Sequence, residues 1–329
     1  MTITRLLWLL LALALPGALV SACGGSGDDT AGEVGAPPTA TASAGAIQRD
    51  PANAEVSLTI GSKNFTEQAV LGEIFAQGLE AAGYRVDTDL SLGNERAALR
   101  ALKRGAIDAY PEYTGTALLS FFGKQPNELP KDPQQAYAQA RRGFAAEGLV
   151  AFPPTPFTSS NEVAVTQETA ERLSLQKISD LARRASELSL AGSPECRQRL
   201  DCLLGLKRVY GLDFEEFMPV PIAQRHDVLT SGDADVSIVF TTDPQIQRES
   251  EVLLEDDRSM FPPYNSSLVM REEVAERAGP DLPRTLAQIQ GRLTDENMQE
   301  LNARVDLDGR RPAEVARSYL TENGLLPPG

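Results

Sequence analysis

A single histidine, His226, is the chain's whole supply of the side chain most used as a general base. No Gly-x-Ser-x-Gly elbow, cysteine–histidine pair or histidine–carboxylate cluster accompanies it, so the usual nucleophilic and metal-assisted chemistries lack their components. Acidic residues are many and a glycosidase-like carboxylate pair stays open, but no spacing singles one out. His226 follows Arg225 near the start of an expected helix, where a surface or rim position is the plainest expectation. Chemistry without bond-making is better supplied. Residues Tyr110–Thr116 read YPEYTGT, which spends two of only seven tyrosines beside two threonines, a carboxylate, a proline and a glycine. This is either an ordinary strand end or one wall of a pocket that needs aromatic faces and hydroxyls together.

The formal charge of −15 argues against a nucleic-acid partner, which requires a basic face to neutralise phosphate; an acidic exterior mainly confers solubility. Arg5 followed by the apolar run Leu6–Val20, broken by Pro16, is too short for a membrane span and has the form of a signal peptide over residues 1–22. Val20-Ser21-Ala22-Cys23 resembles the bacterial lipobox, in which the cysteine is lipidated and becomes the mature N-terminus. The implied location is the cell envelope, outside the cytoplasm, lipid-anchored to the membrane. Residues 23–54 hold Gly, Ser, Thr, Ala, Pro and Asp with few large apolar side chains, so a disordered linker is expected. About 30 such residues reach roughly 30 Å. Lipidation of Cys23 leaves Cys196 and Cys202, in SPECRQRLDC, as an even pair. Export favours a local disulfide between them, whereas a zinc site would want further Cys or His nearby.

The elements that must position these residues alternate between strand and helix. VSLTIGS (Val56–Ser62) reads as a strand. A helix with Val70, Leu71, Ile74, Phe75 and Leu79 on one face follows, with an expected Asn64/Glu67 capping box and a stop at Gly83. YRVDTDLSL is a second strand, NERAALRALKRG a helix stopped by Gly105, and AIDAY a third strand. The alternation predicts an α/β fold with largely parallel sheets. LKRGAIDAY (Leu102–Tyr110) is echoed by LTSGDADVSIVF (Leu229–Phe240): a helix end, Gly, two residues, Asp, then a buried strand. The echo is either two similar lobes or common helix-to-strand grammar.

GSKNFTEQ (Gly61–Gln68), GAIDAYPEYTGT (Gly105–Thr116), VFTTD (Val239–Asp243) and FPPY (Phe261–Tyr264) occur in that order. Together they resemble the substrate-binding proteins of ABC transporters for glycine betaine, choline, carnitine and related osmoprotectants, over about residues 55–325. The resemblance implies a two-lobed α/β periplasmic-binding-protein fold (type II), with a ligand cleft between the lobes and two crossovers. One lobe is expected from residues 55–157 plus 261–329 and the other from 158–260. It implies no enzyme activity, no cofactor and no metal, a monomer, and partnership with an ABC permease and ATPase.

A quaternary ammonium has no N–H to donate, so proteins surround it with aromatic faces whose quadrupoles attract the cation, each ring contributing ~0.5–2 kcal/mol. Carried over by motif, Lys63 and Thr116 would hold a ligand carboxylate and Arg199 would join them from the second lobe. Tyr113, Phe240 and Tyr264 would form the cage. Two positions depart from the family pattern. Phe240 stands where a tyrosine is frequent, and Asn161 in Ser159-Ser160-Asn161 stands where many members place a ring. The substitution of an amide for a ring leaves an unusual betaine or an amino acid as a second ligand class. An exported α/β hydrolase remains the alternative outside the binding class.

Overall fold

The computed structural model describes residues 45–327. The expected signal peptide, Cys23 and most of the expected linker lie outside the described residues. The last part of that linker is not free. Ile47 is buried and its N–H donates to the Leu325 carbonyl (3.0 Å), and Pro51–Glu55 forms a 3-10 turn, so the ordered body begins before the expected strand.

Among the described residues ten strands form two sheets. They are β1 (Ser57–Gly61), β2 (Arg85–Asp89), β3 (Ala109–Tyr113), β4 (Leu149–Ala151), β5 (Asn161–Thr166), β6 (Ser189–Gly192), β7 (Glu216–Pro219), β8 (Val236–Phe240), β9 (Glu251–Leu254) and β10 (Ser266–Arg271). The first sheet has the order β2-β1-β3-β10-β4 and the second β7-β6-β8-β5-β9. The two orders are equivalent position by position, as expected of a two-lobed α/β binding-protein fold. The sheets are mixed, however, not largely parallel: β10 runs antiparallel to β3 and β4, and β5 antiparallel to β8 and β9. The reason is topological. β5 and β10 are the strands by which the chain enters each sheet from the other lobe, so they start where their neighbours β8 and β3 end.

The echo in the sequence has a physical counterpart. Asp108 Oδ2 accepts the Thr59 N–H at the start of the first sheet (2.7 Å), and Asp235 Oδ2 accepts the Ser189 N–H at the start of the second (2.9 Å). Each aspartate therefore ties the lead-in of one central strand to its parallel neighbour.

Val70, Leu71, Ile74, Phe75 and Leu79 are fully buried on one face of helix Thr66–Ala81, as their spacing predicts. Gly83, at φ +109°, ends it. The expected capping box does not form: the N-cap is Phe65, without a side-chain bond, and Glu67 turns inward instead. The third strand lies a few residues later than AIDAY because Ala106 still bonds back to the helix end.

The chain crosses between the sheets twice, and the crossings touch. Thr158 bridges Asn265 in antiparallel fashion, and the Ser159 N–H donates to the Tyr264 carbonyl (3.2 Å). Cys196 and Cys202 form a disulfide with Cα atoms 5.1 Å apart. No helix among the described residues is long and apolar enough to cross a membrane.

The loop closed by Cys196 and Cys202 folds back on Gly205, where an added Cβ would lie 1.9 Å from the Leu200 carbonyl oxygen. Backbone cannot yield as a flexible side chain does. Gly205→Ala is therefore expected to destabilise by about 1–3 kcal/mol and lower the melting temperature by several degrees. A thermal melt matching that of the unaltered protein would refute this packing.

Candidate functional site

The registers of the two sheets bring their working ends together. Tyr113, the last residue of β3, pairs with Ser266, the first of β10; Phe240, the last of β8, pairs with Asn161, the first of β5. Between these ends lies a cavity of about 430 Å³. Lys63, Tyr113, Thr116, Asn161, Arg199, Phe240 and Tyr264, the seven residues drawn from the sequence, all line it. They arrive on separate elements: the turn after β1, three strand ends, the turn after β3, the disulfide loop and the second crossover.

Four rings line the cavity, one more than expected. Phe65, inside GSKNFTEQ, stacks against Tyr113 (centroids 6.4 Å, interplanar angle 21°) and meets Phe240 across the cleft (5.5 Å, tilted 51°). Phe65 stands two residues after Lys63 in that motif, and its type alone does not distinguish a wall ring from a core ring. Tyr113 Oη donates to Glu67 Oε1 (2.5 Å) and Tyr264 Oη to Asp201 Oδ2 (2.7 Å). Burial, followed by these carboxylates, pushes both tyrosine hydroxyls well above their ordinary range, so both remain protonated donors.

The basic residues are not free. Lys63 is paired with the buried Glu112, the carboxylate within YPEYTGT, and its Nζ lies 4.3 Å from the centre of the Tyr113 ring. Burial lowers the Lys63 ammonium below the usual lysine range, against the pull of Glu112. Arg199 grips Asp201 with two bonds (2.8 and 2.6 Å) and reaches Glu95 of the first lobe (3.3 Å). Burial works against its charge, but Asp201 and Glu95 outweigh burial and hold the guanidinium above its ordinary range. The Arg199–Asp201 pairing is thus not a surface bridge: Asp201 is fully buried. Asn161 Nδ2 donates to the Asp201 carbonyl (3.1 Å), so that donor serves the wall itself.

Arg225 is a third cation in the wall. Its Cζ lies 3.9 Å from the centre of the Phe240 ring, and Nη2 bonds Asp243. Asp243 also accepts the Phe240 N–H (2.7 Å). The expectation for His226 is corrected here: it is buried, not on the rim. Its Nε2 meets Asp243 (3.0 Å) and its Nδ1 meets Glu251 (2.8 Å). Burial works against its charge, yet these two carboxylates raise it to about 9. One residue cannot signal such pairing by type, because its partners come from the turn after β8 and from β9. Among the described residues no cluster of three or more His, Cys, Asp or Glu could hold a metal ion.

Comparison with known proteins adds to this geometry. Residues 56–322 match the family described as the substrate-binding domain of ABC-type glycine betaine transport systems. The chain is 34% identical to a glycine-betaine-binding protein of Pseudomonas aeruginosa over 88% of this chain and 94% of that one. It is 28% identical to the carnitine transport binding protein OpuCC of Listeria monocytogenes over 82% of this chain and 88% of that one. Among solved structures, that of a glycine betaine/carnitine/choline ABC transporter protein is similar at a TM-score of 0.65 and 27% identity, covering 82% of this chain and 99% of the other.

The His226 cluster sets a pH dependence whose sign is fixed. A folded value of about 9 stands above an unfolded value of about 6.5, so the cluster's contribution is complete below pH 6.5 and is lost as pH rises through 9. The amount is on the order of 3 kcal/mol. Melting temperature is expected to fall between pH 7 and 10, and His226→Gln to flatten that fall while lowering stability at pH 6. Parallel pH profiles for the two proteins would show that His226 is not the group responsible.

Proposed function

The chain belongs to the family of substrate-binding domains of ABC-type glycine betaine transport systems, and we propose that it captures a quaternary-ammonium solute in the cavity between its lobes. This is a family of transport binding proteins, and the mechanism is capture with lobe closure, without bond chemistry. The supporting observation is the convergence of four rings, Phe65, Tyr113, Phe240 and Tyr264, on one cavity with two hydroxyls held by buried carboxylates. Rings of that kind suit a cation that has no hydrogen to donate, and several are needed for useful affinity.

Lys63, Thr116 and Arg199 are assigned to a ligand carboxylate in this reading. The cations share their charge with Glu112, Asp201 and Glu95, so a carboxylate gains less from them than from free cations. The head is the dominant recognition element, and the class spans glycine betaine, choline and carnitine. Asn161 favours a second reading, an unusual betaine or amino acid, less than its sequence position suggested, because its Nδ2 is already bonded to Asp201.

The proposal extends to the chain's setting. Lobe 1 comprises residues 55–157 and 261–329, lobe 2 residues 158–260, with crossovers near Thr158 and Tyr264. Cys23 carries the lipid anchor, residues 1–22 are removed, and the monomer delivers its solute to a permease and ATPase from outside the cytoplasm.

Calorimetry, thermal melts and membrane fractionation test this. Calorimetry against glycine betaine, choline, carnitine and ergothioneine should find a ligand, and Tyr113→Ala should cost ~1–3 kcal/mol, about ten- to a hundredfold in affinity. Lys63→Met alone strands Glu112 and is expected to destabilise by about 3–5 kcal/mol. The pair Lys63→Met/Glu112→Gln should restore the fold and weaken glycine betaine more than choline. Unchanged affinity in Tyr113→Ala would remove the cage from this cavity. Separately, Cys23→Ala should release the protein from the membrane fraction or block its processing; normal processing and retention would refute the anchor.

A further inference from the structure

Glu67 is a buried acid that the ligand cavity does not use. It stands in the first turn of helix Thr66–Ala81, where an acid ordinarily faces water and favours the positive end of the helix. Here it is 3% exposed and lies behind the cavity wall. Burying a carboxyl is costly unless its oxygens are met by donors, and they are. Oε1 accepts from Tyr113 Oη (2.5 Å) and Oε2 from Asn302 Nδ2 (3.0 Å).

Asn302 carries the connection further. It lies on helix Asp295–Asp306, is itself buried, and its Nδ2 also donates to the Thr242 carbonyl (3.1 Å). Thr242 follows β8 of the second sheet, and its Oγ1 lies 2.9 Å from Ser159 Oγ beside the first crossover. An unbroken buried chain, Tyr113–Glu67–Asn302–Thr242, therefore runs from a ring of the cavity wall to the other lobe. We propose that Glu67 is a positioning residue, which fixes the Tyr113 ring in the wall and, through Asn302, makes that ring answer to the position of the second lobe.

The proposal rests on the reading of Tyr113 as a ligand-facing ring. It explains why this tyrosine keeps a hydroxyl that a π face does not need, and why an acid is retained where burial opposes its charge. Burial raises the Glu67 carboxyl, and the donors Thr242, Tyr113, Asn302 and Ser159 pull it back. Glutamine can keep an acceptor for Asn302 only by turning its amide nitrogen to Tyr113 Oη, which then accepts where it had donated, so the bond to a carboxylate is lost.

A double-mutant cycle tests the idea, with glycine betaine and choline as probes on the full mature protein. Tyr113→Phe keeps the ring and loses only the bond to Glu67; it should weaken binding about tenfold, the worth of one hydrogen bond. Glu67→Gln should weaken it by a similar factor, and the double variant should bind no worse than the weaker single one. Multiplying losses, or a Tyr113→Phe protein that binds as wild type does, would overturn the proposal. A second arm needs no ligand: ¹³Cζ-tyrosine NMR should show the Tyr113 resonance displaced in Glu67→Gln, and an unmoved resonance overturns the link. Should Glu67→Gln fail to fold, Asn302→Ala replaces it in both arms, with the same non-additivity expected against Tyr113→Phe and additive losses again overturning the proposal. Wild-type protein that binds neither probe contradicts the transport reading, while the NMR arm still decides on Glu67 itself.

Discussion

The three cations in the cleft wall, Lys63, Arg199 and Arg225, are matched by Glu112, by Asp201 with Glu95, and by Asp243. An unmatched charge in a site closed to water costs several kcal/mol, so the rings can be kept dry only if these pairs hold. The same pairs place the rings. Lys63 lies over Tyr113, Arg225 lies over Phe240, and Asp201 takes the hydroxyl of Tyr264. Charge compensation and ring placement are one construction, and a substitution aimed at either disturbs both. This is why removing Lys63 alone tests the fold before it tests recognition.

The two sheets make that construction possible by repeating one plan. In each, a central strand is led in by an aspartate that ties it to its parallel neighbour, Asp108 to Thr59 and Asp235 to Ser189. In each, the strand ends on an aromatic residue at the cleft, Tyr113 or Phe240, beside the first residue of an antiparallel strand entering from the other lobe. Because side chains on a strand alternate in direction, a slip of one residue would turn the ring out of the cavity. The crossovers, bridged at Thr158 and Asn265, hold the two plans in a common frame.

Much of this was legible in the sequence, for reasons that differ by level. Helix Thr66–Ala81 and its stop at Gly83 followed from apolar spacing and a glycine at positive φ, both local properties. The repeated Gly-x-x-Asp left twin lobes and common helix-to-strand grammar equally open, because the aspartate's partner lies on a neighbouring strand far away in sequence. The seven cavity residues came from motif order, and they share one cavity. What could not be read were the partners. Glu112 and Glu67 sat inside quoted motifs, yet a carboxylate's type does not say whether it faces water, a ligand or a lysine. His226 read as a rim residue because its two carboxylates come from β9 and the turn after β8. The antiparallel entries of β5 and β10 were missed because strand–helix alternation carries no sign of which strand follows a crossover.

The wall is also divided between lobes, and this bears on what closure costs. Lys63, Phe65, Tyr113 and Thr116 belong with the first sheet, and Asn161, Arg199 and Phe240 with the second. Contacts between protein atoms that join the two include Phe65–Phe240 (5.5 Å), Arg199–Glu95 (3.3 Å), Asn94–Glu195 (3.1 Å), Tyr264–Asp201 (2.7 Å) and, behind the wall, Asn302–Thr242 (3.1 Å). Closure is an equilibrium between contacts of this kind and the entropy of ordering the facing side chains. A ligand shifts such an equilibrium only by the contacts it makes in the closed state and lacks in the open one. On the proposed reading, a cationic head between Tyr113 on one lobe and Phe240 on the other would gain its second ring only on closure. Under the proposed quaternary-ammonium reading, a cage divided between the lobes would convert binding into a change of shape.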